Sequence, residues 1–182
     1  MGRRRVKMVL AQAKDEVSKG DRPPLFLSWN EIDQAMDLLE AGLGGQQFDV
    51  IVGIARAGLV PAVMLAHRLG VRQFAVLEIR RTASDGINSA KRPPIVTGSF
   101  NASAILRKRV LLVDDIVGEG LTMKVARDWV QERAVSVSTC CIVVNKANLP
   151  HTNIGLAVDH WGCLVHRWVR FPWERRDWRE EL

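Results

Sequence analysis

Long apolar runs are missing from this chain. None approaches the roughly 20 residues that a membrane-spanning helix needs, so a spanning protein is not expected. Cysteine is scarce and odd in number, at three. Cys140 and Cys141 are neighbours in an apolar run and Cys163 stands alone, a spacing that offers neither metal-ligand pairs nor a disulfide framework. Reduced structural thiols in a cytoplasmic protein are the expectation. Internal repeats are absent, and nothing marks a second full domain. The opening MGRRRVKMVLAQA is basic and carries Ala-Gln-Ala. Its apolar part is short and Lys7 interrupts it, so it does not read as a signal peptide. Residues 3–6 lack the Ser or Thr of a myristoylation signal.

The 182 residues suit one domain, and 47% hydrophobic content suits a soluble protein with a core. The net charge of +6 favours an anionic partner. Arginines gather near the two ends, in GRRR and in HRWVRFPWERRDWRE, where a solvated basic face is the plain alternative.

Residues 1–24 read as a basic lead-in ending at Pro23-Pro24. In LSWNEI, Ser28 and Glu31 make a capping box, with Leu27 and Ile32 as a hydrophobic staple around it. Ile32, Met36, Leu39 and Leu43 give that helix one apolar face, and Gly44-Gly45 ends it. FDVIVGI is a strand of the fully buried kind. LVPAVMLAHRLG reads as a helix with Pro61 in its first turn and Gly70 as its stop. FAVLEIR is a second strand. Residues 81–96 are polar, contain Gly and Pro, and read as a long loop of the lid kind. RVLLVDD is a third strand, followed by a helix after Gly120. VSVSTCCIVVNK is a fourth, and IGLAVDH a smaller one before a Trp-rich tail. Strand and helix alternate, which predicts a single α/β domain with a mostly parallel twisted sheet flanked by helices.

In such a sheet, ligands sit beyond the carboxyl ends of the strands. Two loops at that edge are unusual. Ala55, Arg56, Ala57 and Gly58 offer small residues that let backbone N–H groups approach an anion, plus one guanidinium. A plain strand-to-helix turn is the alternative. The second loop, DDIVGEGLT, ends at a helix N-terminus, where free N–H groups favour an anion. Asp114 and Asp115 can accept from sugar hydroxyls or hold Mg²⁺ through water. Acids for sugar and metal, then backbone donors for a phosphate, suit a phosphorylated ribose.

VLLVDDIVGEGLTMKVA, residues 110–126, resembles the phosphoribosyl-diphosphate motif of type I phosphoribosyltransferases. VGIARAGLVPAVMLAHRLG is similar to the pyrophosphate loop and following helix of that family. HRWVRFPWE, residues 166–174, and VVNKA resemble the closing segment and lysine-bearing strand of bacterial xanthine-guanine (6-oxopurine) phosphoribosyltransferases. The likeness runs from about residue 27 to 174. It implies a core over 25–159, a small C-terminal hood and tail over 160–182, and a flexible lid over 81–96. It also implies a Mg²⁺-dependent cytoplasmic transferase that joins a purine-type base to phosphoribosyl diphosphate. Its partners would be those small molecules and, in a homo-oligomer, its own copies, with no nucleic acid or membrane. By the same resemblance, Asp114 and Asp115 contact the ribose hydroxyls and the Mg²⁺ shell. Gly118, Glu119, Gly120, Leu121 and Thr122 wrap the 5′-phosphate. Ala55, Arg56, Ala57 and Gly58 bind pyrophosphate, in a loop that often carries a non-proline cis peptide in the family. Lys146 donates to the purine oxo group, Trp168 stacks on the base, and the Val169 backbone meets its edge. A core aromatic and a solvated strand end are the plain readings of Trp168 and Lys146.

Two positions depart from the family pattern. Gly118 stands where the 6-oxopurine branch has an Asp used in proton transfer, and Glu119 where it has a phosphate-binding Thr. A carboxylate about 4 Å from a phosphate in a partly screened site repels it by a few kcal/mol. Three readings follow. Glu119 turns aside and the chain is a purine-type transferase. Or the substrate is a ribosyl compound lacking the 5′-phosphate, with Glu119 accepting from a hydroxyl or acting as base. Or the pocket survives in a non-catalytic nucleotide-binding regulator.

Overall fold

The structure is a computed structural model that describes residues 8–9, 23–82, 91–149 and 153–174. In chain order the elements are β1 (Met8–Val9), β2 (Leu25–Phe26), α1 (Trp29–Leu43), β3 (Val50–Ala55) and α2 (Leu59–Arg68). Next come β4 (Gln73–Thr82), β5 (Lys91–Phe100), β6 (Arg109–Val117) and α3 (Leu121–Gln131). The last are β7 (Ser136–Asn145), β8 (His160–Val165) and β9 (Val169–Arg170). Seven strands form one sheet in the order β1-β8-β7-β6-β3-β4-β5, parallel throughout except where β4 meets β5. β2 and β9 make a separate parallel ribbon, Leu25 opposite Val169 and Phe26 opposite Arg170. The chain is therefore an α/β domain with a mostly parallel sheet, as the alternation predicts. No described helix is long and apolar enough to cross a membrane.

The central strands are apolar on both faces because helices cover both. Ile32, Met36, Leu39 and Leu43 of α1 and Leu65 of α2 pack with Ile51, Leu111 and Ile142 on one face. Met123, Ala126 and Val130 of α3 pack with Val52, Leu112 and Val144 on the other. Cys140, Cys141 and Cys163 are buried in these layers as free thiols. Burial raises all three above the usual thiol range, Cys163 to about 12, which keeps them protonated.

Three stretches differ from the sequence reading. Residues 81–96 are not one loop. Arg81 and Thr82 end β4, Lys91 opens β5, and residues 83–90 of the expected lid lie outside the described residues. Exposure alternates from Pro93 to Ser99, the period of a half-buried strand. β5 is an edge strand, where backbone N–H groups need not all be paired, so Pro93 and Pro94 are tolerated. The small strand expected over 154–160 is instead a 3-10 turn, Ile154–Leu156, and β8 begins only at His160. β6 runs past the two acids to Val117, with Ile116 opposite Val143 and Val117 opposite Val144.

The start of α1 follows its sequence signal. The Glu31 N–H donates to Ser28 Oγ at 3.3 Å, and the Ser28 N–H donates to Glu31 Oε2 at 2.8 Å. Leu27 and Ile32, the expected staple, are both buried. Gly70 ends α2 with a φ of +66°, a conformation that favours glycine. Ser28 is exposed, so its removal tests the cap alone. Ser28→Ala should cost about 1 kcal/mol. In a domain of this size that lowers the thermal midpoint by about 2–4 °C, readable by calorimetry.

Candidate active site

From β3 the chain turns onto one face as α2, and from β6 onto the other as α3. Adjacent strands whose helices diverge leave a crevice beyond their carboxyl ends. The two loops meet there. A Cβ on Gly58 would lie 2.6 Å from the Ile54 carbonyl oxygen and 2.8 Å from Asp114 Oδ1, so only glycine fits. The peptide between Ala55 and Arg56 is cis. A cavity of about 360 Å³ opens over the end of β6.

At its floor lie Asp114 and Asp115, 8% and 7% exposed. The Asp115 N–H donates to Asp114 Oδ1 at 3.0 Å, and the Ile116 N–H donates to Asp115 Oδ1 at 2.8 Å. No ion pair among the described residues reaches either carboxylate. Burial, with the adjacent Asp115 charge, holds Asp114 well above the usual carboxylate range. Burial also lifts Asp115 to about 6, with the Glu174 charge adding to it. Such a pair is completed by hydroxyl donors or by a cation. Mg²⁺ usually takes one or two carboxylates and draws its other ligands from water and substrate phosphates. The two acids fit that donor set. No group of three or more His, Cys, Asp or Glu among the described residues could hold a metal by itself, so the ligand would have to bring further donors.

Beside the acids, α3 begins at Gly120 with a φ of 79° and no side-chain cap. Among the described residues, no acceptor takes the N–H groups of Leu121, Thr122 or Met123; Lys124 is the first to bond, to the Gly120 carbonyl at 2.9 Å. α2 differs. Its Leu59 and Val60 N–H groups donate to the Arg56 and Ala57 carbonyls at 3.1 and 3.2 Å. The free donors and the dipole of a helix N-terminus therefore converge at the 118–122 loop.

Asp114, Asp115, Gly118, Glu119, Gly120, Leu121, Thr122, Trp168 and Val169 all line the cavity. Trp168 is 57% exposed, so it is a wall residue and not a core aromatic. Ala55, Arg56, Ala57 and Gly58 are not among the lining residues, and Gly58 lies against Asp114. Lys146 is exposed and also not a lining residue, its N–H donating to the Val165 carbonyl at 2.8 Å.

Arg81, Asn145, Asn148, Phe171 and Glu174 line the cavity without having been singled out in the sequence. Asn145, 3% exposed, donates from Nδ2 to the Arg167 carbonyl at 3.1 Å, and its Oδ1 accepts from the Ala147 N–H at 3.1 Å. It thereby ties the end of β7 to the segment carrying Trp168. A polar residue closing the apolar run CCIVVN was its signal. Glu174 Oε2 accepts from the Phe171 N–H at 2.9 Å. Phe171 in turn stacks on Trp173, with ring centroids 4.6 Å apart. Glu119 pairs with Arg81, which reaches it from the far end of β4. Gly118 is not demanded by space, since an added Cβ would meet Asn148 Cβ at 3.5 Å, an ordinary contact.

A mostly parallel sheet with a buried acid pair beside an uncapped helix N-terminus defines an α/β protein whose polar cavity lies beyond the carboxyl end of a central strand. The chain belongs to the phosphoribosyl transferase domain family, whose model matches residues 28–159. It is 27% identical over 156 residues to a xanthine-guanine phosphoribosyltransferase of Gluconobacter oxydans, covering 81% of this chain and 83% of the relative. The purine phosphoribosyltransferase from Pyrococcus horikoshii Ot3 superposes with a TM-score of 0.67 at 28% identity, covering 83% of this chain and 93% of that one. The transcriptional regulator GfcR of Methanocaldococcus jannaschii is 23% identical over 153 residues, covering 77% of this chain and 68% of the relative. The family is thus one of transferases with purine-type members, and it also has relatives named as regulators.

The raised acids make stability depend on pH. The folded protein holds the Asp115 proton more tightly than the unfolded chain does. Stability is therefore full near pH 4 and falls as the pH rises through about 6. Asp115→Asn removes that burden. It should gain about 1–3 kcal/mol over the wild type at pH 8 and almost nothing at pH 4. Urea unfolding at both pH values measures the difference. A variant less stable than the wild type at pH 8 contradicts the account.

Proposed function

We propose that this protein is a phosphoribosyltransferase that joins a purine-type base to the ribose of phosphoribosyl diphosphate with release of pyrophosphate, or runs the reverse. The observation that carries the reading is the set of free N–H groups at Leu121, Thr122 and Met123 beside the buried Asp114–Asp115 pair. Donors for a phosphate and acceptors for sugar hydroxyls then share one cavity with an exposed tryptophan face.

In this reading Asp114 and Asp115 accept from the ribose hydroxyls and hold Mg²⁺. The 118–122 backbone binds the 5′-phosphate. Trp168 covers the base with flat apolar area, Val169 meets its edge, and Lys146 donates to its oxo group. The 55–58 loop, packed on Asp114, holds the pyrophosphate end, with Arg56 supplying charge. Mg²⁺, bound with the diphosphate, supplies positive charge to the leaving group. The base nitrogen attacks C1 of the ribose as pyrophosphate departs, and the fixed backbone donors stabilise charge where it develops. The likeness to the Gluconobacter xanthine-guanine enzyme supports a 6-oxopurine as the base.

A second reading is a nucleotide-binding regulator. It is supported by Gly118, which leaves the loop without a side chain for proton transfer, and by the likeness to GfcR. Turnover separates the two. Incubated with phosphoribosyl diphosphate and Mg²⁺, the protein should release pyrophosphate only when a purine base is added, with guanine, xanthine, hypoxanthine and adenine each tried. Asp114→Asn with Asp115→Asn should abolish that release. Binding of a purine nucleotide with no release for any base would favour the regulator. Trp168→Ala should weaken base binding tenfold or more, since stacking a base on an aromatic is worth about 1–3 kcal/mol. Ribose 5-phosphate should be little affected; equal losses for both would make Trp168 structural.

A further inference from the structure

Glu119 sits in the loop proposed to wrap a phosphate, yet the structure does not leave its charge facing an empty cavity. Its carboxylate is paired with the Arg81 guanidinium, brought across from β4 with both side chains partly buried, 22% exposed for Arg81 and 32% for Glu119. Among the described residues, the cavity lining includes four carboxylates, Asp114, Asp115, Glu119 and Glu174, and a single cation, Arg81. An anionic group entering beside the α3 N-terminus therefore meets the Arg81 guanidinium, already held by an internal anion. Arg81 has capacity to spare. Its Nε is buried and has no acceptor, and a guanidinium presents five donors in a fork that matches phosphate oxygens.

We propose that Arg81 is the residue that recognises the 5′-phosphate of the ribosyl ligand, and that Glu119 is an internal stand-in for that phosphate which the ligand must displace. This inference rests on the 118–122 loop being the sugar-phosphate site. Glu119 then sets how strongly the site distinguishes a nucleoside monophosphate from the bare nucleoside. With the carboxylate present, the monophosphate competes for Arg81. With it removed, Arg81 is free to bind. Without Arg81, Glu119 has no guanidinium to withhold from the monophosphate. Its removal then gains little.

The pairwise logic gives the test. Dissociation constants for guanosine and guanosine 5′-monophosphate are measured by calorimetry on the wild type, Glu119→Gln, Arg81→Gln and the double variant. Glu119→Gln should tighten the monophosphate tenfold or more and leave guanosine within twofold. Arg81→Gln should weaken the monophosphate tenfold or more, again sparing guanosine, whose unchanged binding reports that the variant is folded. In the Arg81→Gln background, removing Glu119 should change monophosphate affinity by less than threefold. Plain repulsion predicts the opposite, an equal or larger gain once Arg81 no longer screens the carboxylate, and that result overturns the proposal. So does an Arg81→Gln variant that loses both ligands in parallel. These are binding measurements, so they stand apart from turnover. A protein that passes them without releasing pyrophosphate keeps the Arg81–Glu119 exchange and loses the transferase reading.

Discussion

Strand β6 occupies the middle of the seven-stranded sheet, hydrogen-bonded to β3 on one side and β7 on the other. That double pairing is the constraint on which the site depends. A strand held on both edges and covered on both faces has no freedom of register, so the residues at its carboxyl end are fixed to the surrounding backbone. Asp114 is opposite Cys141 in β7, and on the other side its carboxylate abuts the position where a Gly58 side chain would begin. The acids are thereby buried at a cost in desolvation. Because β6 continues two residues beyond them, α3 starts from a defined point with its first N–H groups turned to the same cavity.

The electrostatics of the cavity are one-sided. Among the described residues, four carboxylates line it against one guanidinium, although the whole chain carries a net charge of +6. Bulk charge therefore describes approach, and local charge describes what is held. On the proposed reading, the floor acids want hydroxyl donors and a divalent cation, while the anion is left to backbone donors and Arg81. Glu119 belongs to this division of labour. It is not a stray charge in the loop but the partner of Arg81.

The wall opposite the acids is assembled from segments far apart in sequence. β2 pairs with β9, the Leu25 N–H donates to the Trp168 carbonyl at 2.8 Å, and Asn145 at the end of β7 holds the Arg167 carbonyl. Behind them Trp29 of α1 lies against Trp173, which stacks on Phe171. Trp168 is thus presented by bonds to the backbone on both of its sides while its ring stays exposed over the cavity, the arrangement a stacking residue requires.

Much of this was legible in the sequence. Strand and helix alternation predicts the sheet, because apolar runs of strand length and apolar faces of helical spacing are local properties. The capping box at Ser28 and Glu31, the stop at Gly70 and the acid pair before a glycine-rich loop are likewise written in neighbouring residues. Other features have no local signature. The edge strand β5 begins at Lys-Arg-Pro-Pro, and only its place at the end of the sheet makes the prolines tolerable. β8 starts at His160 because that is where it can pair with Cys140 of β7. The pairing of Arg81 with Glu119 joins residues 38 apart in sequence, and the contact of Asn145 with Arg167 joins residues 22 apart. The sequence alone determined the class of fold and the place of the acid pair before a glycine-rich helix start, since both rest on short-range pattern. Only the tertiary structure decided which charges meet, because an ion pair depends on distance in space, and that distance is set by the order of strands in the sheet.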